Sequence, residues 1–268
     1  MQKAAIMGFG TVGAGVRDIL RKPFIQQKSQ LEIKYILDIR DFPDDPDHAL
    51  LTKDFSDILN DPEVTVVAEA MGGLHPAYEF TKDLLLAGKS VVTSNKELVA
   101  TYGTELLEIA ERKNVSYLFE ASVGGGIPII RPMTTCLAAN RIERIAGILN
   151  GTTNYILTEM FQKGKTFEEA LKDAQKKGYA ERNPAADVEG HDACRKIAIL
   201  ASLAWGKFVN YKDIPTEGIC DITSEDVRYA EKLDCVIKLI GFAECDEEEC
   251  VSARVCPMLI PKASPIAS

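Results

Sequence analysis

The stretch Lys3-Ala4-Ala5-Ile6-Met7-Gly8-Phe9-Gly10-Thr11-Val12-Gly13 joins a short apolar run to three glycines spaced Gly-x-Gly-x-x-Gly. Lys3 to Met7 reads as a strand, and the periodicity after it predicts a helix from Val12 to about Gln27. A glycine triplet alone is a weak signal, but between a strand and a helix it has a mechanism. The first glycine permits the tight turn, the second lets backbone N–H groups approach a pyrophosphate, and the third lets the helix lie close to the sheet. Gly8, Phe9, Gly10, Thr11, Val12 and Gly13 are therefore the candidate dinucleotide-binding loop, with the partial positive charge of the helix start facing the phosphates.

Working outward, Leu31 to Leu37 is a second strand ending at Asp38, Val64 to Ala68 a third, Ser90 to Thr93 a fourth and Val115 to Phe119 a fifth. Helical periodicity fills His75 to Ala87 and Glu97 to Lys113 between them. Strands alternating with helices predict an α/β fold with a Rossmann-type parallel sheet over residues 1–128. The pattern changes after the glycine-rich corner Ala121 to Pro128. A strand is expected near Ile142 to Leu149, helices over Thr153 to Lys163 and Phe167 to Lys177, and a polar loop over Gly178 to Ala186. One long helix is expected from Asp187 through Trp205, then a helix over Ser224 to Leu233 and paired strands over Cys235 to Ala243 and Val251 to Ile260. Residues 129–268 thus read as a second, α+β domain for substrate binding and dimerisation.

Ligands in open α/β sheets bind outside the carboxyl ends of the strands. Asp38, ending the second strand, is placed to take ribose hydroxyls and favours NAD, whereas Arg40 suits a 2′-phosphate and favours NADP; the two signals conflict. Asp38 also reads as a plain turn residue. Lys96 follows the fourth strand and should face the nicotinamide half of the crevice. A lysine that merely caps a helix start would be electrostatically misplaced there.

Composition bounds the rest. The chain has 268 residues, 46% of them hydrophobic, and a formal charge of -9, which argues against nucleic acid and anionic membranes as partners. It has no signal-peptide pattern and no apolar run of about 20 residues. Seven cysteines without a Cys-x-x-Cys pair fit reduced thiols and a cytoplasmic location. Cys245, Cys250 and Cys256 cluster, two of them flanking the acidic run Asp246 to Glu249, and the group reads as a hairpin turn between strands and not as a metal site.

The segment from Ala174 to Lys196 is the most informative. Asp192 and Lys196 stand four apart on one helix face, and the apolar run Ile197 to Trp205 behind them must be buried. Lys196 therefore sits at the rim of a core beside Asp187 and Asp192. Burial works against its ammonium and the carboxylates work for it, which suits a proton donor.

This segment resembles the signature of the homoserine dehydrogenases: Ala-x3-Gly178-aromatic-small, then Asn183-Pro184-x2-Asp187-aliphatic-x-Gly190-x-Asp192-x3-Lys196. The Gly8 loop, Glu69-Ala-Met-Gly72-Gly73, Thr93-Ser94-Asn95-Lys96, Glu120-Ala-Ser-Val123-Gly-Gly125-Gly-Ile127-Pro128 and Asn150-Gly-Thr-Thr-Asn-Tyr155 are similar to that family as well.

The resemblance implies an oxidoreductase of threonine, methionine and isoleucine biosynthesis. It would transfer hydride between NADP or NAD and the pair aspartate 4-semialdehyde and L-homoserine. It makes Lys196 the proton donor and Lys96 a second catalytic lysine that contacts cofactor and substrate. It places Gly72, Thr93, Ser94 and Gly178 with the cofactor, and Glu181, Asp187, Asp192 and Lys196 with an amino-acid substrate. It implies a monovalent cation, usually sodium, at Glu120, Val123, Gly125 and Ile127, and a homodimer. His75 and His191 are not needed by this chemistry and read as structural. The family also implies more chain beyond Ser268, so a truncated, non-catalytic dinucleotide-binding dimer stands as the alternative.

Overall fold

The structure is a computed structural model that describes residues 1–267. The chain divides into two compact units, Met1–Pro132 and Met133 onward. In the first, β1 (Gln2–Met7) is followed by α1 (Thr11–Leu20), α2 (Pro23–Ser29), β2 (Leu31–Leu37), β3 (Leu51–Thr52) and α3 (Phe55–Leu59). Next come β4 (Val64–Glu69), α4 (Ala77–Leu86), β5 (Ser90–Thr93), α5 (Lys96–Lys113) and β6 (Tyr117–Leu118). All strand pairs are parallel, in the order β3-β2-β1-β4-β5-β6. The chain works outward from β1 to one side, then from β4 to the other, so the strand order reverses between these neighbours. Met7 pairs with both Leu37 and Glu69, which brings the carboxyl ends of β1, β2 and β4 level at the reversal. Ile6, Met7, Ile36, Val67, Val91 and Leu98 form the fully enclosed core.

The second unit has β7 (Arg144–Gly147), α6 (Gly151–Lys163), α7 (Phe167–Lys176), α8 (Ala185–Val188), α9 (His191–Trp205), α10 (Ser224–Lys232), β8 (Cys235–Cys245) and β9 (Val251–Pro261). Its antiparallel sheet runs β7-β8-β9, with Ile237, Leu239 and Ala243 buried against Ile156, Met160 and Ile197 of the helices.

Two expected helices are broken. The helix expected over Val12 to Gln27 ends at Leu20, and α2 restarts at Pro23. The proline ring excludes Lys22 from helical backbone, and Lys22 is extended at ψ 129°. The helix expected over Asp187 to Trp205 is split at Gly190, which sits at φ +84°. The Val188 carbonyl accepts from Ile219 N at 2.8 Å instead of continuing the helix. Asp187 and Asp192 therefore lie on separate helices. The Leu51–Thr52 strand and Phe55–Leu59 helix were not expected from the sequence, and the strand expected over Val115 to Phe119 is confined to Tyr117–Leu118.

Among the described residues no helix is long and apolar enough to cross a membrane. No group of His, Cys, Asp and Glu there has a metal-holding arrangement, the Cys245–Cys256 region included.

One buried charge stands apart. Lys238 on β8 is 3% exposed and donates to Asn154 Oδ1 at 2.7 Å and Thr158 Oγ1 at 3.4 Å, both on α6. Burial pulls its pKa below the ordinary lysine value. Below the folded-state pKa the ammonium bears the full burial penalty; as pH rises through that value toward the unfolded one, the folded state sheds its proton first and stability grows. Lys238→Met should raise unfolding stability at neutral pH by about 1–3 kcal/mol. It should also flatten the rise of stability with pH on the alkaline side, as read by denaturant titration across pH.

Candidate active site

The glycine loop is built by contact. A Cβ on Gly13 would lie 1.9 Å from the Gly8 carbonyl oxygen, and one on Gly8 would lie 2.7 Å from Ala70 O. Only bare backbone lets α1 approach β1 this closely. A Cβ on Gly10 would meet nothing within 4 Å, so the protein leaves open space beside the helix start. Gly10 caps α1 with no side chain, and no acid lies in the first turn. Phe9 is buried with its N–H on Asp38 Oδ2 at 2.7 Å, while Thr11 and Val12 face outward. An open cradle at an uncapped helix start fits a diphosphate.

Asp38 and Arg40, which read as rivals in the sequence, are one ion pair. Arg40 donates to Asp38 through Nε at 2.9 Å and Nη2 at 2.8 Å. This guanidinium, joined by the Arg40 and Phe9 N–H groups against the cost of burial, holds the Asp38 carboxyl well below the usual carboxylate range. Beside the pair lies a cavity of about 360 Å³ lined by Asp38, Arg40, Phe42, His48, Thr52 and Lys53.

Glu69, quoted above as part of a motif but given no role, organises the other side of the crevice. It ends the apolar strand β4 and is 2% exposed. Its carboxyl accepts from Met71 N at 2.8 Å and from the Thr93 hydroxyl. Thr93 Oγ1 in turn accepts from Asn95 N at 2.9 Å, and Asn95 Nδ2 donates to Gly73 O at 2.6 Å. The loop bearing Gly72 is thereby fastened to Ser94-Asn95. Asn95 Oδ1 caps α5 at Leu98 N, so Lys96 begins that helix. An acid terminating an otherwise apolar run was the signal available.

Glu120 accepts from Ile129 N, Ile130 N and Arg131 N at 2.6 to 2.8 Å. Burial opposes its charge, but these three donors prevail and keep its pKa below the ordinary value. A Cβ on Gly124 would lie 2.4 Å from Ile127 O, whereas Gly125 has open space. The corner from Val123 to Ile127 is thus a tight turn around an ionised carboxylate.

In the second unit the structure brings Lys196, Asp187 and Asp192 together and adds Asn150. Asp192, 2% exposed, receives Lys196 Nζ at 2.8 Å and Asn150 Nδ2 at 3.0 Å on its Oδ2. Asn150 Nδ2 also donates to Asp187 Oδ1 at 2.7 Å, and Lys196 Nζ donates to Leu149 O at 2.9 Å. Glu181 is exposed in the loop between α7 and α8, outside this cluster, and its backbone oxygen accepts from Gln175. Gly178 ends α7 at φ +77°. Thr152 holds the same loop by donating to Tyr179 O at 2.8 Å. His75 pairs with Glu79 and His191 with Glu189, all at the surface.

A glycine cradle in one unit and, in the other, a lysine held by Asp192 and the Leu149 carbonyl agree with comparison to known proteins. The family model for homoserine dehydrogenase matches residues 128–268, and that for its NAD-binding domain matches residues 8–120. The chain belongs to the homoserine dehydrogenase family. The homoserine dehydrogenase of Synechocystis is 44% identical over 99% of this chain, and that of Bacillus subtilis is 40% identical over 99%. The chain spans 63% of the length of either relative. A solved homoserine dehydrogenase from Thiobacillus denitrificans superposes with a TM-score of 0.90 at 43% identity, covering all of this chain and 63% of that one. A hyperthermophilic archaeal homoserine dehydrogenase in complex with NADPH superposes with a TM-score of 0.81 at 26% identity, covering 98% of this chain and 83% of that one. The Rossmann-like α/β fold expected from the sequence is the fold of these homoserine dehydrogenases.

The two glycines at the helix start should separate folding from binding. Gly13→Ala meets the Gly8 carbonyl and should lower unfolding stability by about 1–3 kcal/mol. Gly10→Ala meets no protein atom within 4 Å and should melt like the parent. It should nonetheless weaken dinucleotide binding by about tenfold or more, in fluorescence titration with reduced nicotinamide cofactor.

Proposed function

We propose that this homoserine dehydrogenase family member catalyses reversible hydride transfer between a nicotinamide dinucleotide and the pair aspartate 4-semialdehyde and L-homoserine. Residues 1–128 serve the nucleotide, and residues 129–268 serve the substrate and dimerisation. The observation that carries this reading is how Lys196 spends its three hydrogens. One is donated to Leu149 O at 2.9 Å, the ammonium is ion-paired with Asp192 Oδ2 at 2.8 Å, and no further acceptor is shown among the described residues. A donor fixed at two points, with one hydrogen left, suits a carbonyl oxygen that gains charge as its carbon is reduced.

Bound nicotinamide would supply the hydride. Lys196 delivers the proton to the substrate oxygen and, in the oxidative direction, takes it back; Asp192 supplies the counter-charge and Leu149 O the orientation. The substrate ammonium is met by Asp187, whose second oxygen makes no hydrogen bond among the described residues, and by Glu181. Lys96, at the start of α5, is the second catalytic lysine. Gly8 to Gly13 with Gly72, Thr93, Ser94 and Gly178 bind the dinucleotide. Asp38 serves the ribose and Arg40 the 2′-phosphate where NADP is used, a use supported by the relative solved with NADPH. Glu120 with the carbonyl groups of Val123, Gly125 and Ile127 would hold sodium, and the ionised carboxylate supports that choice. Exposed Tyr229, Leu233 and Leu259 support a homodimer through the second unit. The reading places the chain in amino-acid biosynthesis in the cytoplasm.

Purified chain with L-homoserine and NADP⁺ or NAD⁺ should generate reduced-nicotinamide absorbance. Tight dinucleotide binding without turnover in either direction would sink the proposal in favour of a non-catalytic binding dimer. Lys196→Ala should lower kcat by about 10²–10⁴-fold while leaving dinucleotide affinity nearly intact; parallel loss of both would mark a structural lysine. Sedimentation should give the mass of two chains, and melting should occur at higher temperature in sodium than in tetramethylammonium; a monomer, or equal melting, removes the corresponding element.

A further inference from the structure

Asn150 caps α6 and is 6% exposed. Its Oδ1 accepts from Thr153 N at 2.8 Å, which fixes the oxygen end of the amide. The NH₂ end then divides its two hydrogens between Asp187 Oδ1 on α8 and Asp192 Oδ2 on α9. The cap explains only the oxygen, and serine or aspartate would serve it as well. The nitrogen is the choice that needs another reason.

Two carboxylates on successive helices that accept from one amide nitrogen repel each other. A serine could satisfy one of them, and a lysine or arginine would neutralise one. A primary amide meets both without adding charge. It also shares Asp192 Oδ2 with Lys196, while the adjoining Leu149 carbonyl takes a second Lys196 hydrogen. Asn150 and its neighbour thus touch every group that orders the lysine.

We infer that Asn150 is a positioning residue for the reaction: it commits Asp192 to Lys196 and holds Asp187 apart, so that Asp187 keeps an oxygen for the substrate ammonium. This role presupposes the semialdehyde and homoserine reaction proposed above. Without the amide, Lys196 is drawn between two acids and its third hydrogen loses its fixed direction.

Asn150→Ser keeps a capping oxygen and removes the double donor; Asn150→Asp keeps size and cap and adds a charge. Each would be compared with the unaltered chain for melting temperature, dinucleotide affinity, kcat and KM for homoserine. The rate at which an amine-acylating reagent labels Lys196, read by mass spectrometry, completes the comparison. In Asn150→Ser, melting and dinucleotide affinity should hold, kcat should fall about 10–100-fold with a smaller change in KM, and Lys196 should label several-fold faster. Asn150→Asp should lose at least as much kcat. An unchanged kcat, or a kcat loss that tracks a large drop in melting temperature with Lys196 labelling unaltered, would overturn the role. If Asn150→Ser does not fold, the labelling contrast in Asn150→Asp decides. If the unaltered chain shows no turnover, faster Lys196 labelling in a folded variant upholds the positioning while the proposed reaction falls; unaltered labelling overturns both.

Discussion

Each unit is arranged around one carboxyl group driven to 2% exposure, Glu69 in the first and Asp192 in the second. A carboxyl at that depth persists only if neighbouring donors meet its oxygens, because an unmet polar group in the interior costs kilocalories. Meeting them dictates geometry elsewhere. Glu69 draws in the Met71 N–H and the Thr93 hydroxyl, and through Thr93 and Asn95 it sets where the Gly73 turn and the start of α5 lie. Asp192 draws in Lys196 and Asn150, and Asn150 draws in Asp187. Lys196 pairs directly with its buried acid, and Lys96 follows the asparagine that the Glu69 network fixes, so the positions of both lysines derive in part from an acid's need for partners.

The sheet was legible because its strands are short β-branched or alternating apolar runs bounded by polar or glycine-bearing turns. Leu31 to Leu37 and Ser90 to Thr93 were readable to the residue. The breaks were harder. Pro23 interrupts a helix whose apolar periodicity continues past it, and periodicity carried the reading through a residue that backbone sterics do not allow. Gly190 breaks the second helix for a reason remote in sequence: Val188 O is taken by Ile219 N, a partner no local pattern reveals. Leu51–Thr52 is too short to show any period at all.

The candidate site divides the same way. Lys196 and Asp192 were visible as a pair at helical spacing, and Gly8 to Gly13 as a loop with a mechanism. Asn150 was not, since its amide acts on carboxylates 37 and 42 residues further along, and an asparagine before a helix already has an adequate explanation as a cap. Asp38 and Arg40 show a different pattern. Each was assigned a ligand of its own, but two residues apart at the end of a strand they satisfy each other first. Any ribose or phosphate bound there must share or replace part of an ion pair already made, so selectivity at this position depends on both side chains together.

Locality has a consequence for the proposed chemistry. Leu149, Asn150, Asp187, Asp192 and Lys196 all belong to the second unit, and the bonds ordering the lysine close within it. The glycine loop, Asp38, Glu69 and Lys96 belong to the first, where Asp38 accepts from Phe9 N and Glu69 from Met71 N. An ammonium held at two points forgoes rotational freedom when the unit folds, not when substrate arrives, and that prior ordering is what lets a proton donor act in the transition state at little further entropic cost.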